Sequence, residues 1–335
     1  MTVQVLPAGV ATGIGSLPGT DVVEAVRLVM GELPDFPHLP ELPARGPGAD
    51  LIGRGASLLV DIPVQLYAGR WQVASRGGMD LRRGRDLLER DLDALTDVAG
   101  DHDGPLKVSA AGPWTLAASL DRQVGGALLR DPGAVFDLTQ SLAEGLAAHL
   151  GELAARLPHA RLVVQLDEPW LPAVLAGEVA TESGFSRYRA VESETVRDRL
   201  AAIVSAVSVP VVVHCCAAEV PVTLIRDAGA NAVAVDMSLI DLDSAAHLDP
   251  LGEALEAGFG LFAGIVATGP GGDSLPSGQA SIDPVNRLWN RLGLPADRRR
   301  EQVVTTPACG LAGRTPAEAR AVMRACVEAA KWLTD

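Results

Sequence analysis

The sequence predicts an α/β protein closed into a (β/α)8 (TIM) barrel, and three observations lead there. Short apolar runs alternate with longer amphipathic stretches from one end of the chain to the other. The apolar runs number eight, with about one helical cover for each. The composition is rich in Ala, Leu, Val and Gly with only 4% aromatics, which suits parallel strands sheathed by closely packed helices. Eight right-handed βα repeats favour closure over an open doubly wound sheet. No linker or composition break divides the 335 residues, so 1–335 is expected to be a single catalytic barrel domain.

Taken in order, strands are expected at Val10–Gly15, Ser57–Asp61, Leu106–Ala110, Leu162–Leu166, Val209–Val213, Ala232–Val235, Gly260–Val266 and Gln302–Thr305. The first two are the weaker runs. Helical patterns cover Asp21–Met30, Leu81–Asp97, Pro132–Leu157, Ser193–Val207, Val220–Asp227, Leu248–Ala257, Asp283–Leu292 and Pro316–Leu333. Asp131-Pro132 and Thr315-Pro316 are start signals, with a capping side chain followed by proline at the first helical position. Leu33–Gly48 and Thr268–Ser281, rich in Pro/Gly and Gly/Ser, read as long loops of the kind that carry function.

Charge and hydropathy narrow the function. A net charge of −14 argues against nucleic acid, whose phosphates require clustered Lys and Arg; Arg298–Arg300 is short and reads as a solvated helix end. No run of 18 apolar residues suggests a membrane span, and the first ten residues lack the charged start and apolar core of a signal peptide. A cytoplasmic location is therefore expected, where the four cysteines serve as ligands, nucleophiles or buried residues and not as disulfides.

In a barrel the residues just beyond each strand form one rim, and chemistry sits there. Those positions read Gly13-Ile14-Gly15-Ser16-Leu17-Pro18, Ala111-Gly112-Pro113-Trp114, Asp167-Glu168-Pro169, His214-Cys215-Cys216, Asp236-Met237-Ser238 and Pro307-Ala308-Cys309-Gly310. His214 and Cys216 are two apart, so on a strand they point to one side while Cys215 points away. Singly, Cys216 and Cys309 read as small buried residues, His214 as a buried histidine, and Asp236, in Asp-x-Ser, as the cap of the next helix. Jointly, one imidazole, two thiols and a carboxylate on one rim predict a tetrahedral zinc site of His214, Cys216, Asp236 and Cys309. Cys326, inside the last helical pattern, is expected in the core, and Trp114 in rim packing.

These motifs resemble the C-terminal catalytic domain of cobalamin-independent methionine synthase, in the superfamily that also contains uroporphyrinogen decarboxylase. The resemblance spans nearly the whole chain as separated motifs. Ile14-Gly15-Ser16-Leu17-Pro18 is similar to the family's homocysteine-holding stretch, and Asp167-Glu168-Pro169 to the motif whose Asp binds the substrate ammonium. His214-Cys215-Cys216 and Cys309-Gly310-Leu311 match its zinc-binding pairs, and Asp236 stands where the family has a Glu ligand. The resemblance thus implies a zinc-dependent methyltransferase that methylates homocysteine or a similar thiol in methionine biosynthesis. It also implies that Ile14, Gly15 and Ser16 hold the substrate carboxylate and Asp167 its ammonium. Glu41 is read either as a second acid for that ammonium or as a surface loop charge.

The chain departs from the family around the second substrate. Gly264–Ala267 lacks the proton-donor His of that strand, Ser119 stands near the position of a folate-stacking Trp, and Ala173 replaces a folate-contacting acid. The catalytic proton donor is therefore unassigned. The methyl donor is open between methyltetrahydrofolate and a methylated corrinoid, delivered in the latter case by a corrinoid protein. Two other readings stand beside this one. A metal-free uroporphyrinogen-decarboxylase-like enzyme would use Arg45, Arg54 and Arg70 for substrate carboxylates and leave the His/Cys/Asp/Cys set unexplained. A non-catalytic zinc- or amino-thiol-binding protein would bind homocysteine without turnover.

Overall fold

The computed structural model describes residues 6–269 and 278–333. In chain order the elements are helices α1 (Val22–Glu32) and α2 (Leu51–Ser57), strands β1 (Val64–Tyr67) and β2 (Arg70–Val73), and helix α3 (Met79–Ala99). Strand β3 (Pro105–Ala111) follows, then α4 (Pro113–Ser119), α5 (Pro132–Arg156), β4 (Arg161–Asp167), α6 (Leu171–Ala176) and α7 (Ser193–Ala206). The chain continues through β5 (Val211–Cys215), α8 (Val222–Asp227), β6 (Ala232–Asp236), α9 (Ala245–Glu256) and β7 (Gly260–Val266). It ends with α10 (Gly278–Leu292), α11 (Ala296–Gln302), β8 (Val303–Pro307) and α12 (Pro316–Lys331).

Strands β3 to β8 form one parallel sheet in sequence order. Two irregular staves near the N-terminus close it into a (β/α)8 barrel. Residues 9–12 pair with β8, through Gly9 N–H to Val303 O at 2.8 Å and Thr305 N–H to Val10 O at 3.0 Å. Residues 37–39 pair with β3, through Leu39 N–H to Lys107 O at 2.9 Å and Lys107 N–H to Pro37 O at 3.0 Å. The two staves join each other where Glu41 N–H donates to Gly15 O and Leu17 N–H to Glu41 O.

The second stave therefore lies at residues 37–42, and the expectation of a strand over Ser57–Asp61 is corrected. Ser57 instead ends helix α2, and the run after it packs beneath α5, where the Ser141 hydroxyl donates to Val60 O at 2.6 Å. That apolar run is buried by helices and not by strand pairing. The β1–β2 hairpin was not anticipated either. Its two-residue turn, Ala68-Gly69, has φ of 48° and 79°, the left-handed pair that suits a tight hairpin.

Two apolar layers hold the barrel. Inside it, Phe36, Val163, Val212, Ala232, Ala234, Phe262 and Val304 form one cluster, with Phe36 and Phe262 edge to face at 6.0 Å. Outside it, the alternate strand residues meet the helices, as period-two geometry requires for strands buried on both faces. Helix starts are fixed locally as the sequence suggests: Asp131 caps α5 ahead of Pro132, and Thr315 forms a capping box with Glu318 ahead of Pro316. Cys326 is fully buried in α12. Part of the Thr268–Ser281 loop lies outside the described residues, and α10 begins at Gly278. Among the described residues, no helix is long and apolar enough to cross a membrane.

Candidate metal and amino-thiol site

Along β4, β5 and β6 the inward positions run Val163, Gln165, Asp167; Val212, His214; and Ala232, Ala234, Asp236. Each strand is apolar at its base and polar at its C-terminal end. The rim thus gathers functional groups above an apolar base. His214 is the penultimate residue of β5, Cys216 follows the strand, and Cys309 follows β8 from the other side of the barrel. One ligand atom from each of these three residues lies within 4.8 Å of the others. The two sulfurs are 3.3 Å apart, as hydrogen-bonded free thiols.

The trio fits a metal ion on the evidence of its own atoms. His214 Nδ1 is 2.9 Å from Asp167 Oδ1, whereas its Nε2 is buried with no hydrogen-bond partner. Leaving a buried ring nitrogen unpaired costs about 1–3 kcal/mol unless something binds it. Zinc ligands about 2.0–2.3 Å from the ion lie about 3.3–3.8 Å from one another in a tetrahedron, close to the observed sulfur separation. One imidazole and two thiols are a donor set that zinc favours. The shared proton also makes the thiol pair lose its first proton early and its second late. The hydrogen bond with Cys216 holds Cys309 down, and the same contact with burial pushes Cys216 up.

Asp236 is not part of this group. It lies on the neighbouring strand one residue beyond the Cys215–Val235 pair, but its Oδ1 accepts from the backbone N–H of Ser238 at 2.9 Å and from its hydroxyl at 2.7 Å. The side chain caps the turn at Met237–Leu239, as Asp-x-Ser chemistry allows, and it lines different cavities from the trio. Cys215 is fully buried on the outward face of β5.

A cavity of about 210 Å³ brings together the other residues expected to bind metal or substrate: Ile14, Gly15, Ser16, Glu41, Asp167, His214, Cys216 and Cys309. Its size suits an amino acid better than the larger ligands that fill pockets of about 300–1,000 Å³. Ser16 enters because Gly310 faces it without a side chain; a Cβ there would sit 2.0 Å from Ser16 Oγ. Glu41 is buried and not a surface charge. Its Oε1 accepts from Arg54 Nε at 3.2 Å, and Arg54 in turn pairs with fully buried Asp91, which Arg45 also grips at 2.6 and 2.9 Å. Burial pushes the Glu41 carboxyl up to about 6, against the pull of Arg54.

Several of these supporting groups escaped sequence reasoning. Asp91 sits on a helix and gave no rim signal, and Arg54, also on a helix, was read only as a candidate for substrate carboxylates. Lys107 and Gln165 were hidden inside apolar strands, although a charged or amide residue at an inward strand position is itself a signal. Burial lowers Lys107 to about 8, with Asp167 and Glu41 acting in the opposite sense. Glu168 serves structure: its carboxylate accepts from Trp114 N–H at 3.0 Å and from Thr115 N–H and hydroxyl at 2.7 Å, capping α4. Trp114 itself is buried, as rim packing requires. Arg45 and Arg54 are committed to acids within the fold, and Arg70 pairs with Asp121 at 2.6 Å beside the hairpin. None of the three is left over for a polycarboxylate substrate.

The arrangement can do two things. An N/S trio can hold a soft divalent ion, and beside it two acids with Ser16 can hold an ammonium and a carboxylate. Together these describe a site for an amino acid with a sulfur. A B12-independent methionine synthase from Shewanella sp. W3-18-1, solved in complex with selenomethionine, shares the fold at a TM-score of 0.61 and 12% identity, over 98% of each chain. A GH113 β-mannanase from Alicyclobacillus acidocaldarius aligns over 99% of this chain and 98% of its own, at a TM-score of 0.46 and 12% identity. No curated protein matches the sequence. The model of the family described as cobalamin-independent synthase, catalytic domain, matches residues 9–332, and it gives the corrinoid donor no support. The chain belongs to that family of cobalamin-independent synthases and is a methyltransferase.

Proposed function

We propose that this protein is a zinc-dependent methyltransferase that methylates the thiol of homocysteine, and that His214, Cys216 and Cys309 hold the ion. The observation that carries the reading is the unpartnered, buried Nε2 of His214 beside two thiols 3.3 Å apart, in a cavity that also contains two acids. When bound there, zinc supplies Lewis acidity that favours the ionised form of a thiol, which is otherwise mostly protonated at neutral pH. The remaining functions belong to the chain. Asp167 and Glu41 pair with the substrate ammonium, while Ser16 and the backbone of Ile14 and Gly15 receive its carboxylate. These contacts orient the sulfur toward the His214 and Cys309 side of the cavity.

In the transfer, the sulfur lone pair forms the new S–C bond as the methyl group's bond to the donor nitrogen breaks. The electron pair stays on that nitrogen, which takes a proton. A family independent of cobalamin favours an N-methyl donor of the methyltetrahydrofolate kind. Asp236 is assigned as a weaker fourth ligand, engaged only if its carboxylate leaves Ser238. We also take the chain as one catalytic domain, with a cytoplasmic place for it, because a reducing compartment keeps the close pair Cys216 and Cys309 as thiols. Metal analysis of variants tests the ligand set. Cys309→Ser is expected to lose stoichiometric zinc, whereas Asp236→Ala retains it; full zinc in Cys309→Ser refutes the assignment.

A further inference from the structure

We propose that Lys107 and Gln165 form a relay that sets the tautomer and orientation of His214 through Asp167. They are positioning residues, and the link to metal affinity rests on the reading of His214 as a ligand. Both side chains are fully buried inside the barrel, on β3 and β4. Burying an ammonium costs several kcal/mol unless its protons are all received, and the base of the barrel interior is apolar. Here they are received: Lys107 Nζ donates to Ile14 O at 2.7 Å, to Gln165 Oε1 at 2.6 Å and, more weakly, to Ser109 Oγ at 3.5 Å.

An ammonium has three donors and no lone pair, which fixes the polarity of everything downstream. The Gln165 amide must turn its oxygen toward Lys107. Its NH2 then faces the other way and donates to Ile14 O at 3.0 Å and to Asp167 Oδ1 at 2.7 Å. Asp167 Oδ1 is an acceptor, so the ring nitrogen 2.9 Å from it, His214 Nδ1, carries the proton. Nε2 is left as the bare lone pair, the form a metal requires. Without the ammonium, the amide could flip and face its oxygen to Asp167 across a 2.7 Å contact; two acceptors at that distance repel, so the carboxylate would turn aside or take a proton, and the proton on Nδ1 would lose its fixed acceptor. The relay thus selects, before any metal arrives, the imidazole face that meets the thiols.

The test uses metal-free full-length protein, 15N-labelled on histidine, with the ring-nitrogen shifts of His214 assigned by loss of its signals in His214→Asn. Wild type is expected to show a single tautomer protonated on Nδ1. Lys107→Met, and separately the isosteric Gln165→Glu, are expected to mix the tautomers and to weaken zinc binding about 10–100-fold in chelator competition, the usual loss when a ligand's outer partner is removed. A wild-type His214 protonated on Nε2 overturns the proposal. So do variants that keep the Nδ1–H tautomer and bind zinc within about twofold of wild type, well short of that range. If Lys107→Met does not fold, Gln165→Glu and the wild-type tautomer decide. A protein that takes up no zinc, yet shows the Nδ1–H tautomer in wild type and its loss in the variants, refutes the metal reading and leaves the relay standing.

Discussion

Gly310→Ala probes how tightly the first stave is tied to the loop after β8. The added methyl would lie 2.0 Å from Ser16 Oγ and 3.3 Å from Ser16 Cβ. The hydroxyl can rotate away, but the Cβ contact remains tighter than ordinary packing. The backbone cannot retreat freely, because Leu311 N–H donates to Ser16 O at 2.8 Å and Leu17 N–H to Glu41 O at 2.8 Å. Overpacking of this kind costs about 1–3 kcal/mol. Ser16→Gly removes both offending atoms, so the double variant should recover most of that loss, with a coupling energy of about 1–2 kcal/mol in a double-mutant cycle followed by urea unfolding. Additivity within about 0.5 kcal/mol would mean that the two residues do not meet as described. With Ser16 displaced from the cavity, the single variant should also show a raised KM for homocysteine at unchanged zinc content.

Three further perturbations bear on separate parts of the account. Asp167→Asn keeps an acceptor for His214 but removes the charge facing the ammonium, so KM for homocysteine should rise about tenfold or more, worth about 1.4 kcal/mol or more. Steady-state kinetics beside zinc titration checks it, and unchanged KM removes the assignment. His149, buried in α5, is held down to about 4 from 6.5, first by burial and then by Arg54. The unfolded chain therefore binds the extra proton between those values, and stability present above pH 6.5 is lost as pH falls toward 4, by up to about 3 kcal/mol. His149→Asn should flatten that part of the wild-type profile in urea unfolding at matched pH; parallel profiles would contradict the burial argument. Gly145→Ala would drive a Cβ to 1.7 Å from Leu58 O, a backbone atom, and should lower stability by about 1–3 kcal/mol or more in thermal melts, with wild-type stability as the contrary result.

The parts of the molecule legible in sequence are those where period and position coincide. The apolar runs of β3 to β8 announced the staves, and the polar residues at the ends of β4, β5 and β6 and just after β8 announced the rim. His214, Cys216 and Cys309 were found because ligand chemistry sat at those ends. The second stave was hidden by Pro37 and Pro40, which read as loop. The ladder there needs N–H groups only from Leu39 and Glu41, so neither Pro37, which contributes its carbonyl to Lys107 N–H, nor Pro40 between them costs it a hydrogen bond. The run after Ser57 misled for the opposite reason, since apolar content without pairing partners cannot distinguish a strand from a buried connection. Asp236 was drawn into the ligand set by its place on the rim, while the competing local chemistry with Ser238 holds the side chain. Lys107 and Gln165 required three dimensions, because their meaning lies in which atoms can donate.

The most direct test of the central claim is zinc-edge X-ray absorption on the purified protein, quantified for metal and measured with and without homocysteine. The account predicts one equivalent of zinc with two sulfurs and one imidazole nitrogen from the chain, and a third sulfur when homocysteine is added. Protein that binds no zinc, or whose sulfur count stays at two in saturating homocysteine, contradicts it.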